Sequence, residues 1–293
     1  MLLDMNIQKK ITFLGGDARQ KIAASKLSAE GYTVLTFYGA ENDEASESLE
    51  SAINSSDVIV LPLPASVDGI SLNAPFLQNE KIILLKIAEL IPSGKLVVGG
   101  RIPEGFFAAL TKNDIRVIDY FKSEAFQIEN AYTTSEAALS IAMNNLKRNI
   151  RGASFAVTGY GRIARTLTDL LLNMGANVCV LARKESDLVW ARLAGAKIKH
   201  LDEKAVMSLQ KGYDIIFNTV PSWLFFEKFL SGLDKNTLII DLASSPGGVD
   251  VSAAKKLSSR VLWASSLPGK YAPESAGEII AACIKDIVSE VDI

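Results

Sequence analysis

Histidine is nearly absent from this 293-residue chain: there is one, His200. Many dehydrogenases of 2-hydroxy acids move a proton through a His–acid pair, because forming an alkoxide calls for a base that titrates near neutrality. His200 ends a strand that leads away from where a nicotinamide would lie, so that relay is disfavoured. Cysteine is almost as scarce. Cys179 and Cys283 fall in an apolar strand and an amphipathic helix, and they read as buried thiols in a reducing compartment. No metal site is expected. No apolar run is long and uninterrupted enough to span a bilayer, and Met1 to Lys10 lacks the layout of a signal peptide, so a cytoplasmic protein is expected. An excess of one charge is also missing. Lys and Arg number 31 against 33 Asp and Glu, a net charge of −2, which gives no footprint for nucleic acid or an anionic membrane. The rest is ordinary globular composition, 48% hydrophobic and 22% charged, long enough for two domains with separate cores.

What is present is a glycine turn in mid-chain. Phe155-Ala156-Val157 is an apolar strand, and Thr158-Gly159-Tyr160-Gly161-Arg162-Ile163-Ala164 is a G-x-G-x-x-A turn opening a helix. Such a turn lets backbone N–H groups approach a pyrophosphate, and the helix N-terminus adds partial positive charge. The next strand, Asn177 to Ala182, ends in Arg183, 22 residues beyond Gly161. NAD-selective domains place an acid there on the ribose 2′-hydroxyl, whereas a guanidinium pairs with a 2′-phosphate. Lys184 and Ser186 add a charge and a hydroxyl. The cofactor is therefore read as NADP, with NAD as the fallback; the competing reading is a turn that merely joins strand to helix, with Arg183 solvated.

Short apolar runs alternate with helical patterns on both sides of this turn, the rhythm of an α/β protein with parallel sheets. Strands are expected at Lys10–Leu14, Thr33–Phe37, Val58–Leu61, Leu96–Val98 and Val117–Asp119, with helices near Ala18–Glu30, Ser46–Ile53, Glu80–Leu90 and Glu104–Lys112. The second half repeats the pattern at Ser154–Val157, Val178–Leu181, Ile198–His200, Ile215–Asn218, Leu238–Asp241 and Val261–Ala264. Asp57-Val-Ile-Val-Leu-Pro62 resembles Asp214-Ile-Ile-Phe-Asn218 with Pro221 beyond, and Leu96–Gly99 resembles Leu238–Asp241. These features predict two doubly wound, Rossmann-like domains whose strand ends face one cleft. Residues 1–131 would form a flavodoxin-like substrate domain, rejoined by a helix within 272–293, and 132–271 the dinucleotide domain. Thr134 to Asn149 reads as one long helix leading into the nucleotide turn.

Candidate ligand groups sit on loops at strand ends. Gly15-Gly16-Asp17-Ala18-Arg19 opens a helix, so Arg19 could hold a carboxylate, or lie on the helix surface. Leu61-Pro-Leu-Pro64 leads to Ser66, a possible donor. Tyr132-Thr133-Thr134-Ser135-Glu136 looks like a helix N-terminus with hydroxyl caps, and capping by itself accounts for Thr134 and Ser135. Asn218-Thr219-Val220-Pro221 closes a strand where the nicotinamide ribose would lie. Asp241-Leu-Ala243-Ser244-Ser-Pro-Gly247-Gly248 is dense enough in Gly and Pro to bring backbone close to a ligand. Leu267-Pro-Gly-Lys270 puts an ammonium near the same place. Lys122 reads as a solvated charge.

Together these segments resemble the family of A-type subunits of dipicolinate synthase over nearly the whole chain. The likeness rests on Gly-Gly-Asp-x-Arg at 15–19, Leu61-Pro-Leu-Pro64, Thr134-Ser135-Glu136, Gly159-x-Gly-Arg162, Asn218-Thr-Val-Pro221, Asp241-Leu-Ala-Ser-x-Pro-Gly-Gly-x-Asp250, Leu267-Pro-Gly-Lys270 and Ala272-Pro273. Ala164 departs from it, where many relatives carry Gly. The resemblance implies oxidation of dihydrodipicolinate to dipicolinate with reduction of NADP or NAD, beside a flavoprotein-like B-type subunit. Forming an aromatic ring makes that step downhill without a dedicated histidine. It also calls for anion holders for two carboxylates, which Arg19, Lys270 and helix N-termini could supply; a weak base or water suffices as proton acceptor, with Glu136 the candidate side chain. A homo-oligomer is expected. Two alternatives stand: another two-domain NADP enzyme resembling shikimate dehydrogenase, for which no convincing Lys–Asp pair is present, and a dinucleotide-binding scaffold for a catalytic partner.

Overall fold

The structure, a computed structural model, describes residues 9–37, 48–77 and 81–291. Most of the stretch 1–10, and the first residues of the helices expected over 46–53 and 80–90, lie outside the described residues. The chain divides into two compact units, Met1–Glu129 with Ala272–Ile293, and Asn130–Tyr271.

The first unit runs β1 (Lys10–Leu14), α1 (Ala18–Ala29), β2 (Thr33–Phe37), α2 (Leu49–Asn54), β3 (Val58–Val60), α3 (Leu84–Leu90), β4 (Leu96–Gly99), α4 (Glu104–Lys112) and β5 (Arg116–Asp119). Its five strands are parallel in the order β2-β1-β3-β4-β5, so the direction in which strands are added across the sheet reverses between β1 and β3. Alternate residues of each strand serve two cores. Ile11, Phe13, Val58, Val60, Leu96 and Val98 face one side, and Ile59, Leu61 and Val97 the other. Burial on both faces is why these strands read as continuous apolar runs.

The second unit begins within α5 (Glu124–Asn145) and continues β6 (Ser154–Thr158), α6 (Arg162–Asn173), β7 (Asn177–Ala182), α7 (Glu185–Leu193), β8 (Lys197–His200), α8 (Glu203–Met207), β9 (Ile215–Asn218), α9 (Glu227–Ser231), β10 (Leu238–Asp241), α10 (Val251–Lys256), β11 (Val261–Trp263) and α11 (Leu267–Tyr271). Its six parallel strands lie in the order β11-β10-β9-β6-β7-β8, the doubly wound dinucleotide-fold order with its switch between β6 and β9. His200 is exposed on the edge strand β8. Cys179 is buried in β7, and Cys283 is only half-buried, with burial pushing its thiol up to about 11.

The quasi-repeat has a physical basis. The Asp57 carboxylate accepts from Lys10 N at 2.8 Å while Asp57 N donates to Lys10 O at 2.9 Å. Asp214 and Ser154 make the same two bonds, at 2.8 Å each, in the second unit. Each aspartate thus pins the start of its unit's first strand to the neighbouring strand.

The closing helix α12 (Pro273–Glu290) returns to the first unit and lies along α1. Approach is so close at Gly277 that a methyl there would fall 2.7 Å from Ile22 Cβ. Lys26–Glu278 at 3.0 Å and Lys285–Glu30 at 2.6 Å flank the seam.

One expectation fails. Thr134 and Ser135 do not start a helix; they lie in the middle of the 22-residue α5, which ends at Asn145 rather than Asn149. Residues 124–133 contain no Gly or Pro to stop a helix, and Ser123 Oγ accepts from Phe126 N at the true start. The hydroxyls are satisfied within the helix instead, Thr134 donating to Asn130 O (2.7 Å) and Ser135 to Ala131 O (2.9 Å).

Candidate functional site

The carboxyl edge of the second unit's sheet is organised by three buried polar side chains. Thr158 Oγ1 donates to Asn218 Oδ1 at 2.6 Å, and Asn218 Nδ2 donates to Asp241 Oδ1 at 2.8 Å. Asp241 also accepts from Ala243 N (3.1 Å) and Gly248 N (2.8 Å), which folds the loop after β10 back on itself. Asn218 further bonds both Val220 N and Val220 O, each at 3.1 Å. The ends of β6, β9 and β10 are therefore tied by a network in which these polar groups find partners, the condition for burying them. Gly248 is forced: a Cβ there would strike Asn218 Nδ2. Asn218 and Asp241 thus shape the surrounding loops from beneath, while Thr219 and Val220 are half-buried and Pro221 is exposed.

Beside this network lies the glycine turn. Gly159 has φ +89, and an added Cβ would fall 2.5 Å from Thr219 Oγ1, whose hydroxyl donates to Thr158 O at 2.8 Å. Gly161, the N-cap of α6, has open space where a Cβ would be and supplies no side-chain cap to the first turn at Arg162 and Ile163. Tyr160 between them is buried; its carbonyl accepts from Arg165, whose guanidinium pairs with Asp187 at 3.0 Å. Arg183, Lys184 and Ser186 are exposed at the end of β7 and the start of α7. Arg183 reaches Ser222 Oγ at 3.4 Å and borders a groove of about 590 Å³ lined also by Trp223, Phe226, Leu201 and Met207.

Among the other residues singled out in this unit, Ser135 is fully buried and links α5 to α6 through Thr166 Oγ1 at 2.6 Å. Glu136 is exposed on α5, and Ser244 is exposed on the loop after β10, while Ala243 and Gly247 are buried. Lys270 donates to Ser265 O at 3.1 Å and lines a separate cavity of about 250 Å³ with Trp263, Tyr271 and Asn145.

In the first unit, one chain of backbone hydrogen bonds joins the loops at the sheet's carboxyl edge. Gly16 N donates to Asn73 O (2.8 Å), Asn73 N to Ala65 O (2.9 Å), Ala65 N to Gly100 O (2.8 Å) and Gly100 N to Pro62 O (3.2 Å). Arg19 is buried beneath this rim. Its guanidinium grips Asp17 through Nε (3.0 and 3.1 Å) and Nη2 (2.7 Å), and Nη2 also donates to Leu63 O at 2.5 Å. Ser66 is likewise engaged, donating to Asp68 at 3.1 Å; N–H bonds from Ser71 and Ile70 hold that carboxyl well below the usual carboxylate range. Tyr120 is buried, its hydroxyl has no hydrogen-bond partner among the described residues, and burial pushes its phenol well above its ordinary value.

Arg101, which the sequence pattern did not single out, stands at the same edge with φ +54, a left-handed conformation costing a non-glycine residue about 1–2 kcal/mol. Asp119 holds it there by accepting from Arg101 N (3.0 Å) and Ile102 N (3.1 Å). The signal available was Gly99-Gly100-Arg101 directly after an apolar strand.

Residues 10–121 match the family model for the N-terminal domain of the A-type subunit of dipicolinate synthase. The chain is 30% identical over 292 residues to the A-type dipicolinate synthase subunit of Bacillus subtilis (strain 168), covering 96% of each. The chain belongs to this family of dipicolinate synthase subunits. The crystal structure of the corresponding subunit from Bacillus halodurans superposes with a TM-score of 0.86 at 27% identity, covering 97% of this chain and 99% of the other. A transhydrogenase from Sinorhizobium meliloti shares the fold alone, at 15% identity and a TM-score of 0.66 over 95% and 93% of the two chains. Among the described residues no helix is long and apolar enough to cross a membrane, and no group of His, Cys, Asp and Glu could hold a metal ion.

Proposed function

We propose that this family member oxidises dihydrodipicolinate to dipicolinate, with NADP accepting the hydride and a proton released. The observation that carries the reading is the pairing of family membership over 96% of the chain with a glycine turn whose shape suits a dinucleotide. Gly161 leaves open the space a Cβ would fill, and the first turn of the 12-residue α6 has no side-chain cap, which suits a pyrophosphate. Arg183, exposed 22 residues beyond Gly161, and the exposed Lys184 beside it suit a 2′-phosphate, and NAD remains the alternative cofactor. Asp187 in the same region is already met by Arg165.

In this reading the Thr158–Asn218–Asp241 network sets the backbone of Thr219, Val220, Pro221, Ala243, Ser244, Gly247 and Gly248 against the dinucleotide and substrate. On the first unit, Arg19 and Ser66 shape the loops at the sheet's carboxyl edge, Arg19 fixing Asp17 and Leu63 O and Ser66 fixing Asp68. Lys270 holds a carboxylate, and Glu136, exposed on α5, accepts the proton. Aromatisation makes the reaction downhill, so a weakly basic carboxylate suffices and the exposed His200 has no part.

A second reading is kept because Arg19 and Ser66 are already engaged by Asp17 and Asp68. In it the protein is a different two-domain NAD(P) dehydrogenase, or binds the dinucleotide as a scaffold for a flavoprotein-like B-type subunit that supplies the missing groups. The experiment is NADP reduction by the purified chain with freshly generated dihydrodipicolinate, with and without that second protein. Equimolar NADPH and dipicolinate from this chain alone supports the first reading. Turnover only with the second protein, or NADP binding without turnover in either case, favours the second.

A further inference from the structure

We propose that Arg101 is the group of the first unit that binds a carboxylate of the cyclic dicarboxylate; the inference rests on the function proposed above. Arg19, the sequence candidate, brings little charge to a ligand, because Asp17 neutralises it through two of its three nitrogens and Arg19 itself is buried. Arg101 differs on each count. It is exposed, and among the described residues no carboxylate pairs with its guanidinium. The Phe121 ring holds that guanidinium at 4.9 Å from its centroid, which orients the planar fork without using its N–H donors.

The backbone gives the second argument. A residue at φ +54 is most easily Gly, Asn or Asp, yet an arginine stands here. Its placement is fixed from several directions. Asp119 takes the two N–H groups of Arg101 and Ile102. Gly99 and Gly100 have no room for a Cβ, blocked by Leu61 at 2.9 Å and by Leu63 at 2.6 Å. Gly100 is bonded on both sides to the loop after β3, next to the β1/β3 switch where open sheets take ligands. A strained position with a rigid seat and a cation held on a ring face, with its N–H donors left for a ligand, is what a carboxylate subsite requires.

The test is Arg101→Gly, which removes the cation and relieves the backbone. The unfolding midpoint stays level or rises, NADPH affinity is unchanged, and KM for dihydrodipicolinate rises about tenfold or more, as for loss of a charged hydrogen bond. Wild-type protein prefers pyridine-2,6-dicarboxylate over pyridine-2-carboxylate as inhibitor, and Arg101→Gly loses the preference. An unchanged KM with the preference intact overturns the proposal. So does loss of substrate and NADPH binding together with a lowered midpoint, which marks a structural residue. Wild-type protein without turnover would sink the functional reading instead. Calorimetric titration of pyridine-2,6-dicarboxylate then still decides the role of Arg101: binding to wild type and not to Arg101→Gly supports it, and equal binding, or none to either, overturns it.

Discussion

Asn218→Asp is nearly isosteric and places a second carboxyl 2.8 Å from Asp241 in a buried site. Two ionised groups at that distance repel by about 6 kcal/mol at an effective dielectric of about 20. Protonating one of them is the cheaper outcome at pH 7, costing about 4 kcal/mol for an aspartate of ordinary pKa about 3.9, and about 1.5 kcal/mol at pH 5. The protonated acid can still donate to Asp241 but cannot also reach Val220 O, a loss of about 1 kcal/mol more. Expected destabilisation is therefore about 5 kcal/mol at pH 7 and about 2.5 kcal/mol at pH 5, a slope near 1.4 kcal/mol per pH unit. The sign follows from the raised folded-state pKa of the pair. The variant's folded form binds the extra proton, so its deficit is smallest near the unfolded-state pKa and grows as pH rises. Trp190, Trp223 and Trp263, the only tryptophans, all lie in the second unit, so tryptophan fluorescence in urea reads the unfolding of the unit that carries the change. Wild type and variant are compared at pH 5, 6 and 7. A deficit that is flat with pH, or shrinks as pH rises, would refute the shared-proton argument.

Arg183→Asp is expected to weaken NADPH by about 1.5–3 kcal/mol while leaving NADH nearly unchanged, read by fluorescence titration; equal losses for both would remove the 2′-phosphate role. Gly159→Ala adds left-handed strain and pushes Thr219 off its bond to Thr158, a cost of about 2 kcal/mol or more; a urea midpoint shift worth under about 0.5 kcal/mol would contradict the steric account. Tyr120→Phe deletes a buried hydroxyl that has no partner and should raise stability by about 1 kcal/mol, whereas a loss of that size would mean the hydroxyl is satisfied.

The strands were legible because burial on both faces leaves a run of apolar residues bounded by turn chemistry, a purely local signal. Lys10–Leu14, Ile215–Asn218 and Leu238–Asp241 lie where the apolar pattern puts them. The glycine turn was legible for the same reason, since Gly159 needs a left-handed φ that few other residues adopt. Hydroxyl-rich segments were not. Thr134 and Ser135 suit a helix start or a helix middle equally well, and only the uninterrupted chain before them and the neighbouring Thr166 decide between the two.

By itself the sequence determined two parallel α/β units, the glycine turn between strand and helix and the family, all of which depend on local periodicity or on residue strings. Tertiary structure decided what each charge is free to do. Asp241 and Asn218 are committed to each other and to backbone, Arg19 is neutralised by Asp17, and Arg101 is left uncommitted in a strained seat. The Asn218–Asp241 contact and the seat that Asp119 makes for Arg101 arise from which loop ends the sheet topology brings within about 3 Å of one another, the range of a hydrogen bond, and no local pattern encodes that distance.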